Sequence, residues 1–208
     1  RRFFNLLNDL LLDSSLKTVE VSEEVAVLFN KVIASFQLHI HHLEGEISDK
    51  NRKIIVDELG KAGAQFRDTI YKNGFSSKQT TISKSDLTAF YEVTLRFIDH
   101  SIDANKRSDD LYHAYNLMNL KNVREIEISE LSVMLEGQVA VLSAGYLSPK
   151  ESLKLLNNLK SSALFRPDQY SYLLYPNKEL SRFTEKNCIS PEMLEKSALL
   201  KKLVQDGN

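Results

Sequence analysis

Cysteine is almost absent: Cys188 is the one thiol in 208 residues. No intramolecular disulfide can form, a multi-cysteine metal site is excluded, and a reducing, cytoplasmic compartment fits best. Seven glycines are scattered along the chain and never take the spacing of a phosphate-cradling loop. A Gly-x-Ser-x-Gly elbow, a His-Glu-x-x-His helix and a calcium loop are missing as well. Neither sign of charge dominates, with 27 basic against 28 acidic residues, so there is no electrostatic case for nucleic acid. No stretch approaches the roughly 18 to 20 apolar residues of a bilayer span, and no membrane partner is expected. Arg1-Arg2-Phe3-Phe4 starts like a signal peptide, but Asn5, Asn8 and Asp9 interrupt the apolar region and no small-residue cleavage site follows. The chain opens without methionine and reads as an excised piece of a longer protein, whose remainder would be its first partner.

What is present is an ordinary globular composition, 42% hydrophobic and 26% charged, enough to bury a core. The pattern is helical. Val25, Phe29, Val32, Phe36, Ile40, Leu43 and Ile47 recur at three and four residues, predicting a helix over 23–47 with Ser22 as N-cap. Ile54, Ile55, Leu59, Ala62, Phe66 and Ile70 predict a second over 50–72, stopped at Asn73-Gly74 and packed antiparallel on the first. Residues 74–84 read as a loop and 85–102 as a third helix. A short helix is expected over 111–120 and a buried one over 129–143. Ser148-Pro149-Lys150-Glu151 carries a capping box, and Ser190-Pro191 opens a final helix over 191–204. The only strand pattern read is Tyr170 to Tyr175. The expectation is an all-α fold of six or seven helices, mostly in antiparallel pairs, forming one domain over 1–208: a scaffold over 1–104, then helices and polar-aromatic loops over 105–208.

Chemistry concentrates in that second half. Arg107-Ser-Asp-Asp-Leu-Tyr-His-Ala-Tyr-Asn116 gathers a guanidinium, two carboxylates, an imidazole, two phenols and a carboxamide. Arg107, Asp109, Tyr112, His113 and Asn116 are side-chain types that bind sugars: carboxylates and amides pair with vicinal hydroxyls, and tyrosine offers a flat apolar face. Asp110 serves as a proton donor if burial raises its pKa. The competing reading makes Ser108-Asp109-Asp110 a helix cap. Glu136 and Gln138 stand in the apolar run Met134–Leu142, where a carboxylate must be paired, protonated or solvent-facing, and Gly137 permits another backbone or a ligand to come close. Arg166, Asp168 and Tyr170 complete the set. On the first long helix, His39, His41 and His42 form a cluster, with Glu46 four residues beyond His42. The apolar stripe leaves His41 and His42 off the core side, and the cluster reads as surface rather than as a metal site.

Three phrases, Arg107–Met118, Met134–Leu142 and Tyr170–Pro176, resemble segments of large bacterial proteins related to the cellobiose phosphorylases. The resemblance covers about 60 residues of the second half. It implies an α/α toroid of paired helices that processes β-linked glucosides with phosphate, one acidic residue protonating the glycosidic oxygen. On that reading the chain is the helical part of a carbohydrate-active enzyme, a glycoside phosphorylase or hydrolase, that needs no cofactor. Asp110 or Glu136 acts as acid and oligosaccharide and phosphate are its partners. The rival expectation, from the amphipathic helices themselves, is a non-catalytic helical protein-interaction module with an apolar groove.

Overall fold

The computed structural model describes residues 1–207, the side chain of Lys121 excepted. Two compact units emerge, Arg1–Pro176 and Asn177–Asn208. Helix dominates, with nine α-helices among the described residues, but the fold is not purely α: three two-stranded antiparallel sheets accompany them. No described helix is long and apolar enough to cross a membrane.

In the first unit, α1 (Arg2–Asp13) leads to β1 (Thr18–Ser22), which runs straight into α2 (Glu23–His39). Ser22 caps α2, its hydroxyl accepting from the Val25 N–H, as its position predicts. The expected helix over 23–47 is shorter than its stripe. It tightens into a 3-10 turn over Ile40–Glu44 and ends at Gly45. α3 (Asp49–Asn73) follows, capped by Ser48 and stopped by Gly74 at φ +69, a left-handed geometry that glycine adopts without strain. Partners from α2 and the turn after it run along α3 in the opposite direction: Lys31 with Gln65, Ser35 with Glu58, and His42 of the 3-10 turn with Asn51. The pair is antiparallel.

The loop expected over 74–84 contains β2 (Gln79–Ser83), paired with β1 in register Thr18↔Ser83 to Ser22↔Gln79. Its β-branched Thr80, Thr81 and Ile82 suit a pleated surface. Ser83 then caps α4 (Lys84–Ala104), so each strand of this sheet ends in the serine that starts a helix. Phenylalanines join α4 to its neighbours: Phe29–Phe90 centroids lie 5.2 Å apart and Phe36–Phe97 4.8 Å apart.

Glu24 ties the start of α2 to the 74–78 connection. The hydroxyl and the backbone N–H of Ser76 both bond its carboxylate, the N–H at 2.8 Å, and its pKa falls from 4.5 to about 2. A depressed carboxyl stabilises the fold above its unfolded pKa, and that stability disappears as pH falls from about 4.5 towards 2. Glu24→Gln is therefore expected to melt below the wild type at pH 7. The gap should close on acidification, which melting curves between pH 7 and pH 2 would show.

The second half departs most from the helical expectation. Residues 111–120 form no helix. β3 (Asn116–Asn122) and β4 (Glu125–Glu130) make a hairpin instead. Asn122 builds its turn, its side-chain oxygen accepting from the Arg124 N–H at 2.8 Å. The expected helix over 129–143 accordingly begins only at α5 (Leu135–Ser143). Arg52 fastens the hairpin to α3 by donating to the Ile126 carbonyl at 2.7 Å. α6 (Pro149–Lys160) has its capping box in place. β5 (Phe165–Arg166) and β6 (Ser171–Tyr172) form a short hairpin, narrower than the Tyr170–Tyr175 pattern. Leu111, Tyr112, Val141, Leu155, Leu159 and Leu164 form the buried cluster here, with Ile102 and Tyr146 against it.

In the second unit α7 (Phe183–Lys186) precedes α8 (Pro191–Lys196) and α9 (Ala198–Gln205). The single helix expected over 191–204 is divided at Ser197, whose extended backbone (φ −117°, ψ 113°) ends one helix while its hydroxyl caps the next.

Candidate functional site

The 105–116 segment is a hook, not a helix cap. The Arg107 N–H donates to the Leu111 carbonyl at 2.8 Å and the Asp110 N–H to the Arg107 carbonyl at 3.0 Å. Lys106 and Tyr112 face each other across an isolated bridge, and Asp110 sits at the bend with φ +59. The polar side chains of the hook are mostly engaged with one another. The Arg107 guanidinium grips Asp109 in a two-pronged contact, Nε to Oδ1 at 3.0 Å and Nη2 to Oδ2 at 2.9 Å. That contact lowers the Asp109 pKa and raises that of Arg107. The Asp110 carboxylate meets Lys154 at 2.8 Å and Lys106 at 3.5 Å, and the Lys154 hydrogen bond leads in holding its pKa below the ordinary range. Asn116 donates to the Asn105 side chain at 2.8 Å.

Beyond the bend the chain enters the core and is clamped by α5. Gln138 is fully buried. Its Oε1 accepts from the Tyr112 N–H at 2.9 Å, and its Nε2 donates to the carbonyls of Tyr112 at 2.7 Å and Met134 at 2.9 Å. A glutamine there reads the backbone of an extended strand as a neighbouring strand would. Gly137 lets the two segments meet: a Cβ at that position would lie 2.9 Å from the Tyr112 carbonyl oxygen. His113 continues the fastening, Nδ1 at 3.1 Å from the Leu131 carbonyl and Nε2 at 2.9 Å from Glu130.

This clamp creates a cleft of about 700 Å³. One wall is the end of the helical bundle: Phe36 of α2, Ile55 and Leu59 of α3, and Thr94, Phe97, Ile98 and Ile102 of α4. The other is the 112–115 segment with Glu136, Gly137, Ala140 and Val141 of α5. No family model matches this chain, and no curated protein matches it. The cleft must be read from its own chemistry.

Of the residues singled out from the sequence, Tyr112, His113 and Glu136 line this cleft, and Gln138 braces its wall. Asp110 opens with Tyr112 onto a separate concavity of about 490 Å³ beside Lys106, Lys150, Glu151 and Lys154. Arg166, Asp168 and Tyr170 lie on the β5–β6 hairpin. There Arg166 pairs with Asp168 at 2.6 Å, and the Lys160 ammonium lies 5.1 Å from the Tyr170 ring centroid. The histidine cluster takes a different form from the sequence reading. His39 is buried and contacts Glu58 at 3.0 Å, a carboxylate that also accepts from the Ser35 hydroxyl at 2.7 Å. His42 lies stacked 5.5 Å from His39. The 3-10 turn over Ile40–Glu44 removes the four-residue helical spacing to Glu46. Among the described residues no three His, Cys, Asp or Glu side chains gather as a metal site.

The cleft's floor was hidden in plain sight. Phe36, Ile55, Leu59, Phe97 and Ile98 all belong to the apolar stripes, and periodicity marks a helix face as apolar without saying whether a neighbour fills the space before it.

Proposed function

We propose that this chain is a non-catalytic helical interaction module, a part that works within a larger assembly. The observation that carries this reading is α1. Phe4, Leu7 and Leu11 form one stripe, with Phe4 against Phe90 and Tyr91 of α4 and Leu11 buried. Phe3, Leu6 and Leu10 form a second stripe that is 65%, 56% and 58% exposed. α1 is amphipathic, with Arg2, Asn5, Asn8, Asp9 and Asp13 on its polar side, but its apolar face is wider than α4 covers, and the second stripe stays more than half exposed among the described residues. The β3–β4 hairpin adds to the uncovered apolar surface. Leu117, Met118, Leu120 and Val123 of the β3–β4 hairpin are also exposed.

The glycosidic reading asks for an acidic proton donor beside a phosphate site in a phosphorylase, or for two carboxyls across one cleft in a hydrolase. Asp110 and Glu136 line different concavities, and Asp110, its pKa lowered between two lysines, is a poor proton donor at neutral pH. This arrangement favours the interaction reading over oligosaccharide and phosphate processing.

Sedimentation velocity tests it. The isolated chain is expected to associate as concentration rises, through its uncovered stripe. The double variant Leu6→Glu/Leu10→Glu should remain monomeric with an unchanged melting temperature, because both side chains are more than half exposed. A wild type that stays monomeric at every concentration and behaves like the double variant would overturn the reading.

A further inference from the structure

The cleft between the helical bundle and α5 has a composition that selects a ligand. Its walls are phenylalanine, isoleucine, leucine and valine, and its volume of about 700 Å³ falls within the range of small-molecule sites. Most polar groups on its lining already have partners. Arg1 donates to Asp99 at 2.7 Å and to the Gly145 carbonyl at 2.7 Å. Asn105 donates to the Ser101 carbonyl and accepts from Asn116. His113 is held between Leu131 and Glu130. The Tyr112 ring closes one wall, its phenol in the field of Asp103, Glu151 and Asp110.

On this lining, among the described residues, one buried hydroxyl and one carboxylate have no partner. Thr94 is 7% exposed, and its hydroxyl, buried, has no hydrogen-bond partner. Glu136 lies at the solvent-exposed edge, and no described side chain pairs with it. A buried hydroxyl left unmet costs free energy comparable to a lost hydrogen bond, but this oxygen is closed off from the cleft, so the wall it stands in is apolar to a guest. The lone carboxylate sets the charge. The one arginine on the lining is already neutralised by Asp99, and Glu130 adds to the negative side near His113.

We infer that this cleft binds a hydrophobic amine: an apolar body seated against Phe36, Phe97 and Ile98, and a cationic head at Glu136. A fatty acid of equal length presents the wrong charge, and a free sugar presents too little apolar surface. The site does not depend on the α1 stripe, so it stands or falls independently of the interaction reading.

Three probes that differ only in the head group isolate the claim: decylamine, decan-1-ol and decanoate, titrated calorimetrically below their aggregation concentrations. Decylamine is expected to bind one per chain, about fivefold tighter than decanol, the scale of one exposed ion pair, with decanoate weakest. Glu136→Gln should bring decylamine to the level of decanol and leave decanol unchanged. Ala140→Trp, on the exposed lip of the cleft, should abolish binding of all three while circular dichroism stays native. Equal affinity for the three heads, an amine preference that survives Glu136→Gln, or no binding at all would each overturn the inference. Should Ala140→Trp fold poorly, the Glu136→Gln comparison still decides, because that side chain is exposed and its loss leaves the core intact.

Discussion

Gln138→Leu is expected to destabilise the first unit by about 4 kcal/mol, more than most single substitutions outside large core truncations. The change keeps the side-chain volume, so packing does not account for the loss. What disappears is a set of three hydrogen bonds to the carbonyls of Tyr112 and Met134 and from the Tyr112 N–H. Tyr112 is 4% exposed, so water cannot replace them, and each stranded backbone group costs about 1–3 kcal/mol. Gln138→Glu separates hydrogen bonding from shape. An ionised carboxylate still accepts from the Tyr112 N–H but cannot donate to the Tyr112 carbonyl, and it carries a buried charge. Burial raises the pKa of the introduced carboxyl. The variant should therefore be strongly destabilised at neutral pH and partly recover on acidification, when the protonated group regains a donor. Urea denaturation of the three proteins at neutral and acidic pH measures both effects. A loss below about 1 kcal/mol for Gln138→Leu, with no pH dependence for Gln138→Glu, would mean that the hook is held in place by packing alone.

The clamp also shows where the sequence was readable and where it stopped. Short-range signals held: Ser22, Ser148 and Ser190 cap helices where their spacing says they should. Gly74 stops α3, and Gly137 does permit the close approach of another backbone. These features depend on a few consecutive residues. The β3–β4 hairpin was legible but overlooked, since Glu125-Ile126-Glu127-Ile128 alternates with the period of a strand, and Asn122 marks its turn. The β1–β2 sheet is harder, because Thr18–Ser22 and Gln79–Ser83 are short and meet only through the intervening helices. The density of polar groups in 107–116 pointed to a ligand. Most of that density is spent within the protein, on the Arg107–Asp109 fork and the Lys106–Asp110–Lys154 contacts. Composition reports which groups are present, and only the fold decides which remain unpaired. Thr94 illustrates the converse: its place on the apolar stripe between Phe90 and Phe97 is legible, but its unmet hydroxyl appears only once α4 packs.

Gly137→Ala should reveal how closely α5 is seated. In an ordinary helix the change gains about 0.5–1 kcal/mol, since alanine loses less conformational freedom than glycine. Here the added Cβ would lie 2.9 Å from the Tyr112 carbonyl oxygen and 3.3 Å from both the Cβ and the backbone nitrogen of Ala114. The obstacles are backbone and a methyl group, neither of which can rotate aside, so α5 must retreat from the 112–114 segment. Overpacking of this kind costs about 1–3 kcal/mol. The clash outweighs the propensity gain, and a net loss of about 1–2 kcal/mol is expected. Retreat of α5 would also stretch the Gln138 hydrogen bonds, so the two substitutions act on one contact. The double variant Gly137→Ala/Gln138→Leu should then lose less than the sum of the single variants. Because Gly137 and Val141 line the cleft, the same retreat should weaken decan-1-ol binding even though Glu136 is untouched. A stabilised Gly137→Ala protein with unchanged decanol affinity would show that α5 already has room to move, and that the narrowness of the cleft is set by the helical bundle on its other side.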